Sequence, residues 1–485
     1  MSLLPVNKTA NLGAASTHPE YSEFYSRWLA INDAMKGEVV VKNKGKVYLP
    51  ELSGQTYNEY DRYKRGAKWY NAPFLTVAGL TGMVLRKPSV VELSEDIIKL
   101  LDNITLTGIS LDSFCGEIIS DTLTYGRVGA LVDFSETEQL PYMVSYNALD
   151  ILNWNTKDNK LDMVVLRETY YETGENEFDL RLSVRYRVLS LIEGIYTIRV
   201  YQESVNQTPE LVETIIPSIK GSTLDFIPFY FFSSGQYGQY GTSISDSPIE
   251  SIINLSYHYY LVSADYNWGL HWIALPTPYV TGVTEETIPN TLGPHQVWGL
   301  PTGSTCGLLE YIGSGLGELR EALETDKREM ADSGARLLET RAHAAEAAKT
   351  VEMKQTSDAS ILSGIVSKIN MGMNNLLKWY VEWLGKNSDT VSIQINKDFV
   401  PDDIDPLLLN SLITALQAGE ISRIEFFKQL QKGEIIEGDK TFEEHEQELE
   451  EDASKRAIVM QNDLQMQQDI FNNNDNNNND ASNSK

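Results

Sequence analysis

Hydrophobic spacing divides the 485-residue chain into a helical opening, a β-rich middle and a second helical half, and so predicts an α+β chain. Residues 1–17 are small and polar without a period. From Pro19, the positions Tyr21, Phe24, Tyr25, Trp28 and Leu29 recur at helical spacing, which predicts an amphipathic helix stopped near Gly37. Helices are also expected from Thr56 to Gly66 and from Thr76 to Leu85, the second ended by Lys87-Pro88. A further apolar face (Leu111, Phe114, Cys115, Ile118, Ile119, Leu123) starts at Ser110 and ends at Tyr125-Gly126. Between Arg127 and about Phe232 the period shifts towards two, with turn clusters such as TKDNK and ETGENE, which predicts one sheet of several antiparallel strands.

The second half opens on SPIE, where Ser247, Pro248 and Glu250 fit a capping box with proline at N1; a long helix should run from there to about Trp268. Proline-punctuated sequence from Ile273 to Cys306 predicts a small loop-and-strand unit. In the next helix Leu316, Leu319, Leu323, Met330 and Leu337 follow heptad-like spacing, with Asp326 and Ser333 interrupting the seam. RAHAAEAAKTVEMKQTSD (341–358) has no clear apolar stripe and separates this helix from a strongly apolar one, Ile361 to Leu384. VSIQINKDF alternates like a strand. Three short helices follow: Asp405-Pro406 to Gly419, Ser422 to Gly433, and Thr441 onwards, the last two opened by capping boxes. Residues 434–485 hold fourteen acidic and four basic residues and end in NNNDNNNNDASNSK, which is expected to be disordered.

Composition changes this picture in three ways. A chain with 42% hydrophobic and 22% charged residues fits an ordinary globular protein of about three structural units. Its net charge of −28 argues against nucleic-acid binding through a general basic face. The two cysteines, Cys115 and Cys306, cannot form a disulfide framework, so both are expected as free thiols. There is also no apolar run of the ~20 residues a membrane helix needs, and no signal-peptide pattern at the N-terminus.

Candidate chemistry is sparse. Gly313, Gly315 and Gly317 lead into a helix as phosphate-cradling loops do, but position 318 is Glu318 and no Gly-Lys-Ser/Thr follows, so a hinge is the better reading. Six scattered histidines lack metal-ligand spacing, and no metal or cofactor is expected. GSTCG around Cys306 differs from a nucleophile elbow, which leaves Cys306 as a small core residue. No catalytic residue is assigned. Arg62, Lys64, Arg65 and Lys68 lie among Tyr60, Tyr63, Trp69 and Tyr70, a mixture seen on nucleic-acid surfaces. On a helix these positions alternate between faces, so a packing helix with snorkelling basic residues is preferred. A helix-turn-helix around Ile421–Lys432 offers only Arg423, Lys428 and Lys432, too few cations for that role.

Short blocks in order carry a further signal: HPEY, KVYLP, SGQTYNEYDRYKRGAKWYN, TVAGLTGMVLRKP, SPIE, WIALPTPYVTG, EYIGSGLGELREALE, GARLLE and ISRIEFFKQLQKGEII. Over about residues 18–450 this order resembles a family of tailed-bacteriophage portal proteins often carried under a domain-of-unknown-function label. The resemblance implies a non-enzymatic homo-oligomeric ring, usually of twelve subunits, at one capsid vertex of the virion, assembled in the host cytoplasm. Its partners would be the terminase large subunit, head-tail adaptor or tail proteins, the major capsid or scaffolding protein, and double-stranded DNA passing without sequence specificity. No membrane and no cofactor are implied.

The implied parts are a flexible arm (1–17), a wing (18–246), a stem helix (247–272), a clip (273–315), a second stem helix (316–340), a tunnel loop (341–358), a wing helix and strand (359–400), a crown (401–460) and an acidic tail (461–485). Arg341, His343, Lys349 and Lys354 are then candidate DNA-channel contacts, and Leu316, Leu319, Leu323, Met330 and Leu337 the stem seam. An acidic chain suits a channel, because a wall that bound phosphates at full strength would stall a sliding duplex. The alternatives are a minor capsid or head-tail adaptor protein and, with less support, a cytoplasmic hydrolase using carboxylates or Cys306.

Overall fold

The computed structural model describes residues 13–158, 160–174, 176–203, 208–235, 242–275, 277–284, 288, 291, 297–309, 313–335, 360–399, 413–416, 421–432 and 440–448. Contacts divide the chain into two units, Met1–Phe399 and Val400–Lys485.

Local chemistry sets the helix ends of the first unit. In α1 (Pro19–Lys36), His18 Nδ1 accepts from Glu20 N, and Gly37 ends the helix at φ 83°. Trp28 is buried beneath it and donates from Nε1 to Tyr125 O at 3.2 Å. A short α2 (Glu38–Asn43) follows, too brief to give a periodic signal. A reciprocal Thr56/Glu59 capping box opens α3 (Tyr57–Gly66). The next helix, α4 (Ala72–Val84), starts four residues before the expected Thr76, because Pro73 fits its first turn. After β1 (Val90–Glu92) and α5 (Glu95–Ile98), Ser110 caps α6 (Leu111–Tyr125). Gly126 then turns the chain at φ 76°, so close to the next layer that a Cβ would lie 2.3 Å from Ser245 O.

The expected single sheet is two. β2 (Arg127–Ser135) lies between β3 (Leu140–Asn147) and β11 (Phe229–Ser233). The other sheet runs in sequence order through β4 (Ile151–Lys157), β5 (Lys160–Thr173), β6 (Leu180–Ile192), β7 (Ile195–Glu203) and β8 (Pro209–Ile215). The break comes at Asn147, whose side chain accepts from Leu149 N and whose carbonyl accepts from Asp150 N, turning the chain out of the first sheet. Two-residue strands β9 (Ser218–Ile219) and β10 (Ser222–Thr223) form a small hairpin before β11.

The sheets are tied by charge. Arg187 of β6 reaches Asp133 of β2 at 2.5 Å and Glu168 of β5 at 3.5 Å, while Tyr142 and Tyr146 of β3 donate to the same two carboxylates. Arg187 and Asp133 are both buried. A second buried cation, Arg127, has its guanidinium 3.9 Å from the Trp154 ring centroid and 4.3 Å from that of Phe231, with no hydrogen-bond partner among the described residues. Burial pulls its pKa down to about 9.

The expected capping box at SPIE does not form. Glu250 instead turns its carboxylate to Arg27, with contacts of 2.5 and 3.1 Å, and Ser247 Oγ accepts from Ile249 N. Helix α7 therefore spans Glu250–Ala274, passing the expected end at Trp268 and stopping before Pro276, which disfavours helical backbone at the preceding residue. An antiparallel ribbon of β12 (Thr277–Thr281) and β13 (Thr305–Leu309) follows, then α8 (Leu316–Ala335), α9 (Ile361–Trp383) and β14 (Ser392–Gln394). α9 covers the three-stranded sheet; its Gly372 sits where a Cβ would be 2.4 Å from the Phe232 ring. Asn374 of α9 acts as a surrogate strand for β14, donating to Ile393 O at 2.8 Å and accepting from Ile393 N at 3.0 Å. β14 then pairs with β1 across 300 residues of sequence.

In the second unit, α10 (Arg423–Lys432) is capped by Ser422, and residues 442–448 are helical behind a reciprocal Thr441/Glu444 cap. Phe427 packs on Phe442 and His445. The expected boxes at Ser422 and Thr441 thus both supply caps. Residues 1–12, most of the 401–420 stretch and the tail from 449 lie outside the described residues.

Two predictions follow from the buried charges. Arg187→Met leaves Asp133 buried without its cation and should lower unfolding stability by about 3–5 kcal/mol in urea titration. Asp121 of α6 is held up at about 7 by burial first, then by Glu117 and Asp150. A carboxyl raised on folding opposes stability above its folded pKa, so stability should fall as pH rises from about 4 to about 7. Asp121→Asn should flatten that slope and raise the melting temperature at pH 8 but not at pH 4.

Candidate functional site

The feature least explained by the core is the hairpin made by α7, the ribbon and α8. At 1.5 Å per residue, the 25 residues of α7 span about 38 Å. Its first half is rooted: Ile252, Ile253, Ser256, Tyr259, Tyr260, Ser263 and Ala264 are buried. Polar clamps fix it there. Tyr257 donates to Ala30 O at 2.7 Å and stacks on Tyr48, Tyr63 donates to Asp265 at 2.6 Å, and Ser263 Oγ exchanges hydrogen bonds with the Lys68 backbone. Beyond Ala264 no residue of α7 is buried, and Leu270, Trp272 and Leu275 are exposed.

The seam expected in the second long helix faces α7. Leu323 and Met330 are buried and Leu316 and Leu319 half-buried, whereas Leu337 lies outside the described residues. Asp326, read as an interruption, is a working member of the seam: it is 5% exposed and sits 2.9 Å from His258 Nδ1 of α7. The sequence signal for this pair was Asp326 at a core heptad position, since a buried carboxylate needs a partner. The helix begins at Leu316, slightly before the expected position past Gly317.

The glycine run makes the turn into α8. Leu316 N donates to Gly313 O at 3.0 Å, and a Cβ on Gly313 would lie 2.4 Å from Ile273 of α7. With Glu318 in the first turn, this is a tight joint between two helices and not a phosphate cradle. Cys306 is not a core residue: it is exposed in β13, opposite Val280, where the ribbon is too thin to bury it. Cys115 is buried in α6, and burial pushes its thiol well up.

The basic cluster of α3 resolves as expected from its alternating faces. Tyr60, Tyr63 and Trp69 are buried against α7 and the loop to Leu49, while Arg65 and Lys64 turn outward to Asp61. Arg341, His343, Lys349 and Lys354 lie outside the described residues. Among the described residues, no group of three or more His, Cys, Asp or Glu side chains is arranged to hold a metal ion, and no helix is long and apolar enough to cross a membrane.

A family model described as a domain of unknown function, DUF4055, matches residues 248–384, from the start of α7 to the end of α9. No curated protein matches the chain. Among solved structures, a chain from the neck of an empty GTA particle computed with C6 symmetry has a TM-score of 0.41 at 14% identity, covering 82% of this chain and 98% of that one. A chain from the virion of a native gene transfer agent (GTA) particle gives 0.41 at 14%, with 81% and 99% covered. One from the neck of a native GTA particle computed with C12 symmetry gives 0.38 at 12%, with 81% and 98% covered.

If the hairpin is held by its root, side-chain deletions should cost in proportion to burial. Met330→Ala should destabilise the chain by about 2–4 kcal/mol and Leu316→Ala by less than about 1.5 kcal/mol, measured as shifts in the urea midpoint.

Proposed function

We propose that the chain is a portal subunit. Copies form a ring at one capsid vertex through which a separate terminase motor packs double-stranded DNA, and the same channel retains the genome, joins the tail and later releases the DNA. The observation that carries this reading is the hairpin: two long antiparallel helices rooted at one end in an α+β body and ending in an exposed ribbon. The outer face of α8 is charged, and apolar side chains on the ribbon, Tyr279, Leu308 and Leu309, are about half exposed. A lone subunit leaves both surfaces uncovered, and a ring of copies covers them.

In this reading α7 and α8 are stem, the ribbon is clip, and residues 341–358 with Arg341, His343, Lys349 and Lys354 approach the DNA. The net charge of −28 keeps the duplex from adhering to the wall. The role is structural, in the virion, and needs neither catalysis nor cofactor. It gives the chain the kind of place that the gene transfer agent proteins have in their necks. Negative-stain microscopy of the purified full-length chain should show closed rings with a central hole. A single 54.5 kDa species at every concentration and salt would overturn the portal reading, and a monomer that joins only a preformed ring would indicate an adaptor.

A further inference from the structure

Helix α7 is flanked on two sides, by the predominantly acidic α8 and by α3, whose three basic residues slightly outnumber its two acidic ones. On one side it meets α3 and the residues just after it: Asn267 lies beside Gly66, Trp268 packs on Tyr63, His271 is 3.0 Å from Arg62, and Tyr260 packs on Trp69. On the other it meets α8 and its leading turn, through His258 with Asp326, Gly269 with Leu316 and Ile273 with Gly313. At 3.6 residues per turn these two sets of α7 positions are centred about half a turn apart, so α3 and α8 lie on opposite flanks.

Their outward faces differ. With the seam of α8 turned to α7, its far side presents Glu318, Glu321, Glu324, Glu329 and Asp332, all exposed, with Arg328 among them, Arg320 exposed toward its edge and Lys327 3.1 Å from Glu324, so carboxylates outnumber cations there. The far side of α3 presents Lys64 and Arg65, extended by α2 and the turn after it. Lys42 Nζ donates to Arg65 O at 3.2 Å, and Lys46 lies over the Tyr60 ring. These cations already have carboxylates of their own in Asp61, Glu38 and Glu51, at 2.5 to 3.9 Å. Such exposed pairs contribute little and can exchange partners.

We infer that the acidic outer face of α8 in one copy seats on the basic α2–α3 face of the next, so that hairpins associate side by side through unlike surfaces. The occupant is a second copy because the two complementary faces sit on opposite flanks of one helix in the same chain. Each copy therefore offers one acidic and one basic edge, and head-to-tail repetition closes into a ring when the rotation permits. The inference rests on the portal reading and adds to it the two surfaces and the charge that orients them.

The test uses the full-length protein and two double variants, Glu321→Lys with Glu324→Lys at exposed positions, and Lys64→Glu with Arg65→Glu, of which Arg65 is exposed and Lys64 half-buried. Ring formation is followed by light scattering and negative-stain microscopy over a salt series, and folding by circular dichroism. Each double variant alone should need about tenfold or more protein to form rings, with a smaller penalty at high salt, where the screening length is ~3 Å. An equimolar mixture of the two should recover assembly, because every acidic face then meets a basic one, and so should the quadruple variant. Milder Glu321→Gln with Glu324→Gln should give a smaller loss in the same direction.

Folded double variants that form rings as the wild type does would overturn this interface while leaving the portal reading intact; that result is the one expected if the acidic face lines the channel. Loss of assembly that neither the mixture nor the quadruple variant repairs would also overturn it. A wild type that never forms rings would remove both readings.

Discussion

The helical opening of the first unit is arranged around a helix of about 38 Å held by one end. Beyond Ala264 no residue of α7 is buried, so its anchorage is concentrated near the root. In α7 that root combines aromatic packing with three polar clamps from two parts of the chain: Arg27 on Glu250 and the Ala30 carbonyl on Tyr257, both from α1, and Lys68, just after α3, on Ser263. The clamp on Ser263 satisfies a hydroxyl that burial would otherwise leave unpaired, while the Arg27–Glu250 pair is partly exposed. α1, α3 and α4 thus serve as a socket, which explains why the opening of the chain is helical and rich in Tyr and Trp.

The β-rich part solves a different problem. Two sheets that follow one another in sequence would slide or separate if only apolar faces met between them. The Arg187, Asp133 and Glu168 cluster, with Tyr142 and Tyr146 donating into it, fixes their register with directional bonds. Such a buried network gives specificity more than net stability, because desolvating the ions offsets much of their attraction. Arg127 belongs to the same region but is held by ring faces instead of carboxylates.

How much of this was legible in sequence depended on how local the cause was. The caps at Ser422 and Thr441 were readable because each is fixed by residues within one turn. The Ser247 box failed because Glu250 had a better partner in Arg27, which is 223 residues away and invisible to local pattern. The second sheet was missed for a similar reason: period-two alternation reports strands but not which strands pair, and β11 returns to β2 from almost a hundred residues on. The pairing of β1 with β14 was beyond any local reading. For the hairpin, the apolar stripe gave the seam, while the role of Asp326 required knowing that His258 faced it.

Charge segregation gives the hairpin a property that apolar stripes do not. A chain of net charge −28 repels its own copies at long range, and the outward side of α8 offers no apolar surface to overcome that. Evenly spread acid would oppose association in every orientation. Gathering carboxylates on α8 and cations beside α2 and α3 makes one relative orientation attractive and leaves the others repulsive, including the symmetric approach of two α8 faces. In the proposed interface, such a charge arrangement disfavours closed two-fold pairs through the α8 face and favours head-to-tail association, the mode that generates cyclic rings.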